Sequence, residues 1–402
     1  MKVALYYPWI YLRSGGERTI AEILARSSHK WTVFTHRWDR RATFDSLQGA
    51  PIVELLPPIS VRRNLWQAVK AAWRITAEKL PLEGFDALLV VCEGVGDFIT
   101  VRNHQLPTFC LCLTPLRAAF DSYYRSGFLA RNGSGVTQRI MFSLCACTFR
   151  RLDRLAWNNY SGISVISSEV RRRVLNGRLC DEKQIRLLHP GVDVSKCRAS
   201  DVRAKDFFLP GRIMWTKNIE LGIDAFKLLM SSWKGVADFT LTIAGFVDEK
   251  SKPYLAALRE RASGEHRIRF VVSPTEEALF SKYAEAYAVL CTAFNEDWGL
   301  TSLEGMACGK AVVAVDRGGY RESVVHGETG FLVEPKAESF AEAMRFLADH
   351  PEVMEKMGEE GRKRSLLFTW DAFCGGLDRF LEQRPCALHN TSSELSINTV
   401  SE

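Results

Sequence analysis

The sequence predicts an α/β protein made of two Rossmann-like domains in tandem. Three observations carry that reading. Short apolar runs alternate with helical stretches, as in parallel sheets covered on both faces. The alternation restarts after about residue 205. The chain has 402 residues, enough for roughly two domains of about 200 residues each.

The elements follow in order. Val3 to Tyr7 is a short apolar run and reads as the first strand, with Ser14-Gly15-Gly16 in the loop behind it. Glu17 to Arg26 reads as a helix, because Ile20, Ile23 and Leu24 recur at helical spacing. Further strands are predicted at Trp31 to Thr35, Phe85 to Cys92, Phe109 to Leu113 and Gly162 to Ile166. The second series begins with Asp206 to Gly211, a strand and turn, followed by a helix from Asn218 to Met230. It continues with Phe239 to Gly245, a strand ending in a glycine loop, and with Ile268 to Val272, Ala288 to Thr292 and Ala311 to Val315. Between the series lie Leu188 to Asp193 and a polar stretch to about Lys205, where the domain boundary is placed: 1–200 and 201–365. Beyond Gln383 the chain turns rich in Ser, Thr and Asn, and 384–402 is expected to be a disordered tail.

Composition excludes several classes. No apolar run approaches the roughly 20 residues that span a bilayer. The N-terminal run lacks a small-residue cleavage site and is read as a strand, not a signal peptide. Eleven cysteines, an odd number with no zinc-like spacing, suggest reduced thiols, a cytoplasmic home and no metal site. The net charge of +6 is asymmetric: residues 1–200 carry +13 and the remainder −7. A basic half is either a solvated surface or a seat for an anionic partner such as a membrane surface or a lipid pyrophosphate; no nucleic-acid motif is present. Two segments mix basic and large apolar residues. Val61 to Lys79 holds Arg62, Arg63, Lys70, Arg74 and Lys79 among Leu65, Trp66, Val69, Trp73 and Ile75, and Met141 to Arg154 holds Arg150, Arg151 and Arg154. Each suits a lipid headgroup layer or an ordinary surface helix.

Chemistry concentrates in three loops. Glu296 follows the strand ending at Thr292, where ligands bind in open α/β sheets. Gly299 opens the next helix, whose free N–H groups suit a phosphate or polar sugar, and Glu304 lies about one turn inside it. Two carboxylates so placed can accept charge-assisted hydrogen bonds from sugar hydroxyls, or be plain surface glutamates. Gly211 to Asn218 also joins a strand to a helix and aims Arg212 and Lys217 at the same crevice; two fixed cations stabilise a departing diphosphate. In the third loop, Gly15-Gly16 permits close backbone approach to a ligand, without the Gly-x-Gly-x-x-Gly dinucleotide pattern.

Arg212 with Lys217, Gly245 after a strand, Glu296-x7-Glu304, and Gly318-Gly319-x-x-Glu322 followed by Gly327 and Gly330 to Val333 come in the order seen in family 4 of the GT-B retaining glycosyltransferases. Over 205–335 the sequence closely resembles that family. Gly15-Gly16 and His189 to Asp193 are similar to its N-terminal and junction signatures.

The resemblance implies the GT-B fold: two Rossmann-like domains facing each other across a cleft, with a C-terminal helix (about 366–383) crossing back to the first domain. It implies that Arg212 and Lys217 hold a diphosphate and Glu296 the donor sugar. Gly15, Gly16, Gly245, Val272, Gly299, Leu300, Thr301 and Glu304 are implied as donor-binding, with Glu304 on the ribose and backbone near Val271 to Ser273 at the base. Arg117 and Asp121 are acceptor-side candidates. The implied activity is metal-independent, cofactor-free transfer of a hexose from a nucleotide sugar to a glycan or polyprenyl-diphosphate-linked acceptor, in polysaccharide or glycolipid synthesis at the inner face of a membrane. The segment Asn295 to Leu300 resembles that of mannosyltransferases using GDP-mannose; UDP-sugars are the alternative. One position departs from the pattern: Leu113 stands where the family often has His before Thr-Pro. A catalytically silent nucleotide-sugar-binding protein is the other reading of that loss. His36 and His104 lie near in sequence only.

Overall fold

The computed structural model of the chain describes residues 1–60, 65–133, 135–197, 204–233, 235 and 238–383. The expected tail at 384–402, the boundary at 200, and Arg62 and Arg63 lie outside the described residues.

Seven strands form the first sheet: β1 (Lys2–Tyr6), β2 (Lys30–Thr35), β3 (Ile52–Glu54), β4 (Ala87–Gly94), β5 (Thr108–Pro115), β6 (Gly162–Val165) and β7 (Ile185–Leu187). Six form the second: β8 (Asp206–Pro210), β9 (Thr240–Gly245), β10 (Ile268–Val272), β11 (Ala288–Cys291), β12 (Ala311–Val315) and β13 (Gly330–Val333). All pairings are parallel. The spatial orders are β3-β2-β1-β4-β5-β6-β7 and β10-β9-β8-β11-β12-β13. Both are the doubly wound order, which reverses beside the first strand of each domain. Ligands bind outside the carboxyl ends of the strands at that reversal.

The first sheet is flanked by α1 (Gly15–Arg26), α2 (Leu65–Ala77), α3 (Arg117–Phe120), α4 (Ser122–Arg131), α5 (Val136–Trp157) and α6 (Ser168–Asn176). The second carries α7 (Ile219–Ser232), α8 (Lys252–Ala262), α9 (Glu276–Glu285), α10 (Leu300–Ala307), α11 (Tyr320–Ser323), α12 (Ala337–Asp349) and α13 (Pro351–Ser365). Central strands such as β1, β4, β5 and β12 are buried on both faces, which is why they read as unbroken apolar runs.

The final helix, α14 (Trp370–Glu382), returns to the first domain. Asp378 accepts hydrogen bonds from the hydroxyls of Ser27 (2.6 Å) and Ser28 (2.8 Å), and Phe380 packs edge-on against Phe109. The chain crosses between domains beside Gly191. The N–H of Val192 donates to the Phe368 carbonyl (2.9 Å), and a Cβ on Gly191 would run into the Thr369 backbone. Glycine is required there by backbone-on-backbone packing.

Candidate active site

Both reversal points open onto one cleft of about 490 Å³ between the domains. From the first domain come the β1–α1 loop and the ends of β4 and β5. From the second come the loops after β8, β9, β10 and β11.

The loop after β8 runs close to the end of β9. The Gly211 N–H donates to the Ala244 carbonyl (3.0 Å), and a Cβ on Gly245 would strike the Gly211 carbonyl. Small backbone here lets Arg212 and Lys217 line the cleft. Lys217 Nζ donates to Glu296 Oε2 at 2.6 Å, tying the β8 loop to the β11 loop. Gly299 precedes α10 with φ +93°, a left-handed conformation that leaves no room for a Cβ beside Tyr320. One turn on, Glu304 accepts from the Tyr283 hydroxyl at 2.6 Å. Burial lifts its carboxyl above the ordinary range, and the Tyr283 bond works against that rise.

Of the sequence-predicted residues, the cleft wall brings together Arg212, Lys217, Glu296, Gly15, Gly16, Gly245, Gly299, Leu300, Thr301 and Glu304. Three stand elsewhere. Val272 ends β10 half-exposed and off the wall; its neighbour Ser273, at φ +51°, faces the cleft instead. Arg117 and Asp121 are also off the wall, because their charges are spent on each other and on the loop behind the site. Arg117 pairs with Asp121 (2.8 Å) and donates to the Asn295 carbonyl (2.8 Å). Burial opposes ionisation of Asp121, but Arg117 and Arg173 outweigh it and hold its carboxyl below the usual range.

Arg173, which motif reasoning passed over, is the centre of this network. It is 2% exposed and contacts Asp121, Glu169, Asp297 and the Asn295 carbonyl. Asn295 also donates to Glu169 (2.9 Å). The loop carrying Glu296 is thus clasped from the first domain. Gly318 and Gly319 press on the same loop from the other side, with the Gly319 N–H on the Glu296 carbonyl (2.9 Å). Glu322 reaches across to Ser168 (2.8 Å to its N–H) and to the His189 ring (3.0 Å). Trp298 stacks on His189 and donates from Nε1 to the Pro190 carbonyl (2.9 Å).

Other missed cleft residues are Arg13, Arg18, Arg41, Phe44, Glu93 and Glu276. Arg18 and Lys196 both pair with Glu276 across the cleft mouth. Glu93 lies one residue past the predicted end of its strand, a charged side chain at the carboxyl end of a central β-run, and that position was a usable signal. No histidine is among the described cleft-lining residues: His36 is buried behind β2, and His104 bonds the Thr100 carbonyl (2.9 Å).

Two doubly wound domains closed on one cleft, with the last helix returned to the first, define the GT-B class. Residues 196–364 match the family Glycosyl transferases group 1. The chain is 34% identical over 193 residues to the alpha-1,3/1,6-mannosyltransferase ALG2 of Dictyostelium discoideum, covering 44% of this chain and 46% of that one. It is 27% identical over 205 residues to the D-inositol 3-phosphate glycosyltransferase of Streptomyces avermitilis, covering 47% and 44%. These matches span less than half the length of the curated relatives. In fold it is similar to Anabaena Alr3699/HepE in complex with UDP and glucose (TM-score 0.70, 15% identity, 95% and 99% of the two chains). It is equally similar to the sucrose-phosphate synthase of Thermosynechococcus elongatus (TM-score 0.70, 20% identity, 94% and 98%). Residues 196–364 are thus similar to group 1 glycosyltransferases, and the chain as a whole has the GT-B fold.

Proposed function

We propose that the protein is a retaining glycosyltransferase that moves a hexose from a nucleotide sugar to a glycan or polyprenyl-diphosphate-linked acceptor. The observation that carries this is the convergence of Arg212, Lys217, Glu296 and Glu304 on one cleft at the reversal point of the second sheet. Mannose from GDP-mannose is the favoured donor. The 34% identity to a mannosyltransferase and the segment Asn295 to Leu300 support it.

In this reading Glu304 binds the ribose and Glu296 the hydroxyls of the donor sugar. Arg212 and Lys217 meet the diphosphate, with no metal or cofactor required. As the bond from the anomeric carbon to the phosphate oxygen breaks, charge grows on the diphosphate. Two cations fixed in place stabilise that charge more than they stabilise the bound donor, which is what lowers a barrier. The departing phosphate oxygen takes the proton of the acceptor hydroxyl. Leu113 on the cleft wall favours the second reading, a protein that binds nucleotide sugars without turning them over.

The test is a thermal-shift titration with GDP, UDP, ADP and their common sugar conjugates, followed by a donor-consumption assay. A ligand that binds only the folded state raises the melting temperature. A shift with GDP and GDP-mannose supports the favoured donor. A shift with UDP compounds alone replaces it. Binding with no donor consumed selects the silent reading. No shift with any nucleotide overturns the site.

A further inference from the structure

We infer that Glu93 is the group that receives the attacking hydroxyl, in place of any side chain at position 113. The inference rests on the transferase reading above. Four observations lead to it.

The first is local geometry. β4 and β5 run in register to Cys92 and Cys112, and then Glu93 pairs with Thr114. Leu113 is therefore an extra residue, a β-bulge, and Gly94 follows Glu93 with φ +85°. Bulges re-aim side chains beside active sites. Here the distortion leaves both Leu113 and Glu93 on the cleft wall. Leu113 brings no polar atom to that corner.

The second is anchoring. The buried Tyr7 hydroxyl donates to Glu93 Oε2 at 2.6 Å. A Cβ on Gly16 would lie 2.6 Å from that same hydroxyl and 3.2 Å from Leu113. Gly16 thus leaves room for Tyr7 and, through it, sets the direction of Glu93.

The third is availability. Among the described residues five acidic side chains line the cleft. Glu276 is ion-paired with Arg18 and Lys196, Glu296 with Lys217, and Asp297 with Arg173, while Glu304 holds the Tyr283 hydroxyl. Among the described residues only Glu93 and Glu304 of these five have no cation partner, and Glu304 stands on the second domain. The Oε1 of Glu93 is open to a donor from the cleft.

The fourth is side. Glu93 is the only acidic cleft residue among the described residues of the first domain, opposite Arg212, Lys217 and Glu296. A hydroxyl donating to Oε1 is held facing the anomeric carbon. Its oxygen bonds to that carbon as the carbon–phosphate oxygen bond breaks. The electron pair leaves on the diphosphate, and the hydroxyl proton ends on the departing oxygen. A carboxylate is the stronger acceptor for such a hydroxyl than a neutral group.

Water serves as the minimal acceptor, so no natural acceptor is needed for the test. GDP-mannose and UDP-glucose are incubated with the wild-type chain and with Glu93→Ala, Glu93→Gln and Glu93→Asp, and the released sugar is measured. Nucleotide affinity is measured by calorimetry. Loss of a charge-assisted bond of about 1.5–3 kcal/mol corresponds to a fall of about 10- to 100-fold in sugar release. That fall is expected in Glu93→Ala, with nucleotide affinity held within about two-fold. Glu93→Gln is expected to fall between, and Glu93→Asp to recover part of the rate. Unchanged release in Glu93→Ala overturns the assignment. So does a parallel loss of nucleotide affinity, which would make Glu93 a donor-side or purely structural group. A wild-type chain that binds nucleotide yet releases no sugar overturns the transferase reading itself, and the assignment with it.

Discussion

Lys217 and Glu296 are 2.6 Å apart, each about one-fifth exposed, so the cation that would meet the diphosphate is already held by the carboxylate that would meet the sugar. The pair keeps both groups pointed at the cleft. In the proposed reading, removing the cation would leave donor contacts from Glu304 and the backbone in place but strip charge from the leaving group. Lys217→Ala is therefore expected to lower kcat by about 100-fold or more while nucleotide affinity changes little. Steady-state kinetics beside calorimetry checks this, and an equal loss in both would refute a role confined to the transition state. Glu17 makes a prediction of another kind. It is 1% exposed, accepts from the Leu12 N–H (3.2 Å) and the Ser14 hydroxyl, and is pushed up to about 7, chiefly by burial. The ordinary value of such a carboxyl is 4.5. Between those values the folded chain keeps a proton that the unfolded chain has released, so stability falls as pH rises from about 4.5 to about 7. Glu17→Gln removes that loss. It is expected to raise stability at pH 8 by up to about 3 kcal/mol and to change it little at pH 4.5, as urea denaturation at the two pH values would show. A variant less stable at pH 8 would contradict the sign.

Two helices of the first domain present apolar faces to solvent. On α2, Trp66, Val69 and Trp73 recur at spacings of three and four and are exposed, with Lys70 over the Trp66 ring. On α5, Val136, Ile140, Met141, Leu144, Leu152 and Leu155 are exposed, while Ala146, Asp153, Ala156 and Trp157 pack inward. Among the described residues no helix is long and apolar enough to cross a membrane. Such faces beside basic residues suit the boundary between lipid headgroups and chains. We propose that the domain sits on an anionic membrane surface. At low salt, anionic vesicles should sediment the chain, and Trp66→Ser with Trp73→Ser should cut the bound fraction about ten-fold. Equal recovery on neutral vesicles would count against the idea. At this scale the sequence was legible where strands are central and uniformly apolar. β3 and β7, three residues each and half-exposed at the sheet edges, were not visible as runs.

At the scale of the molecule, the domains are tied by contacts on both sides of the cleft: Arg173 to Asp297, Glu322 to Ser168 and His189, and Arg18 to Glu276. The two chain crossings meet at Gly191 and Thr369 with no space between their backbones. Gly191→Ala must push them apart, at a cost of about 1–3 kcal/mol. It is expected to lower the melting temperature and to enlarge the radius of gyration by opening the cleft. Small-angle scattering with an unchanged radius would show that the closed arrangement does not depend on this crossing.

The alternation of apolar runs and helices determined the central strands of both sheets, and the loops after β8 and β11 determined which residues of the second domain reach the cleft. Those signals are local: a strand, the turn that follows it, and the helix that begins next. The tertiary structure decided what depends on which strands lie side by side. It withdrew Arg117 and Asp121 from the cleft by spending their charges behind the Asn295 loop, and it made Arg173 the clasp of that loop. Within the expected segment Val271 to Ser273 it left Val272 off the cleft wall and kept Ser273 on it, where the backbone turns left-handed at the end of β10. It also put Glu93 beside Leu113. Those two residues are twenty positions apart in the chain, and only the bulged pairing of β4 with β5 brings them to one corner of the cleft.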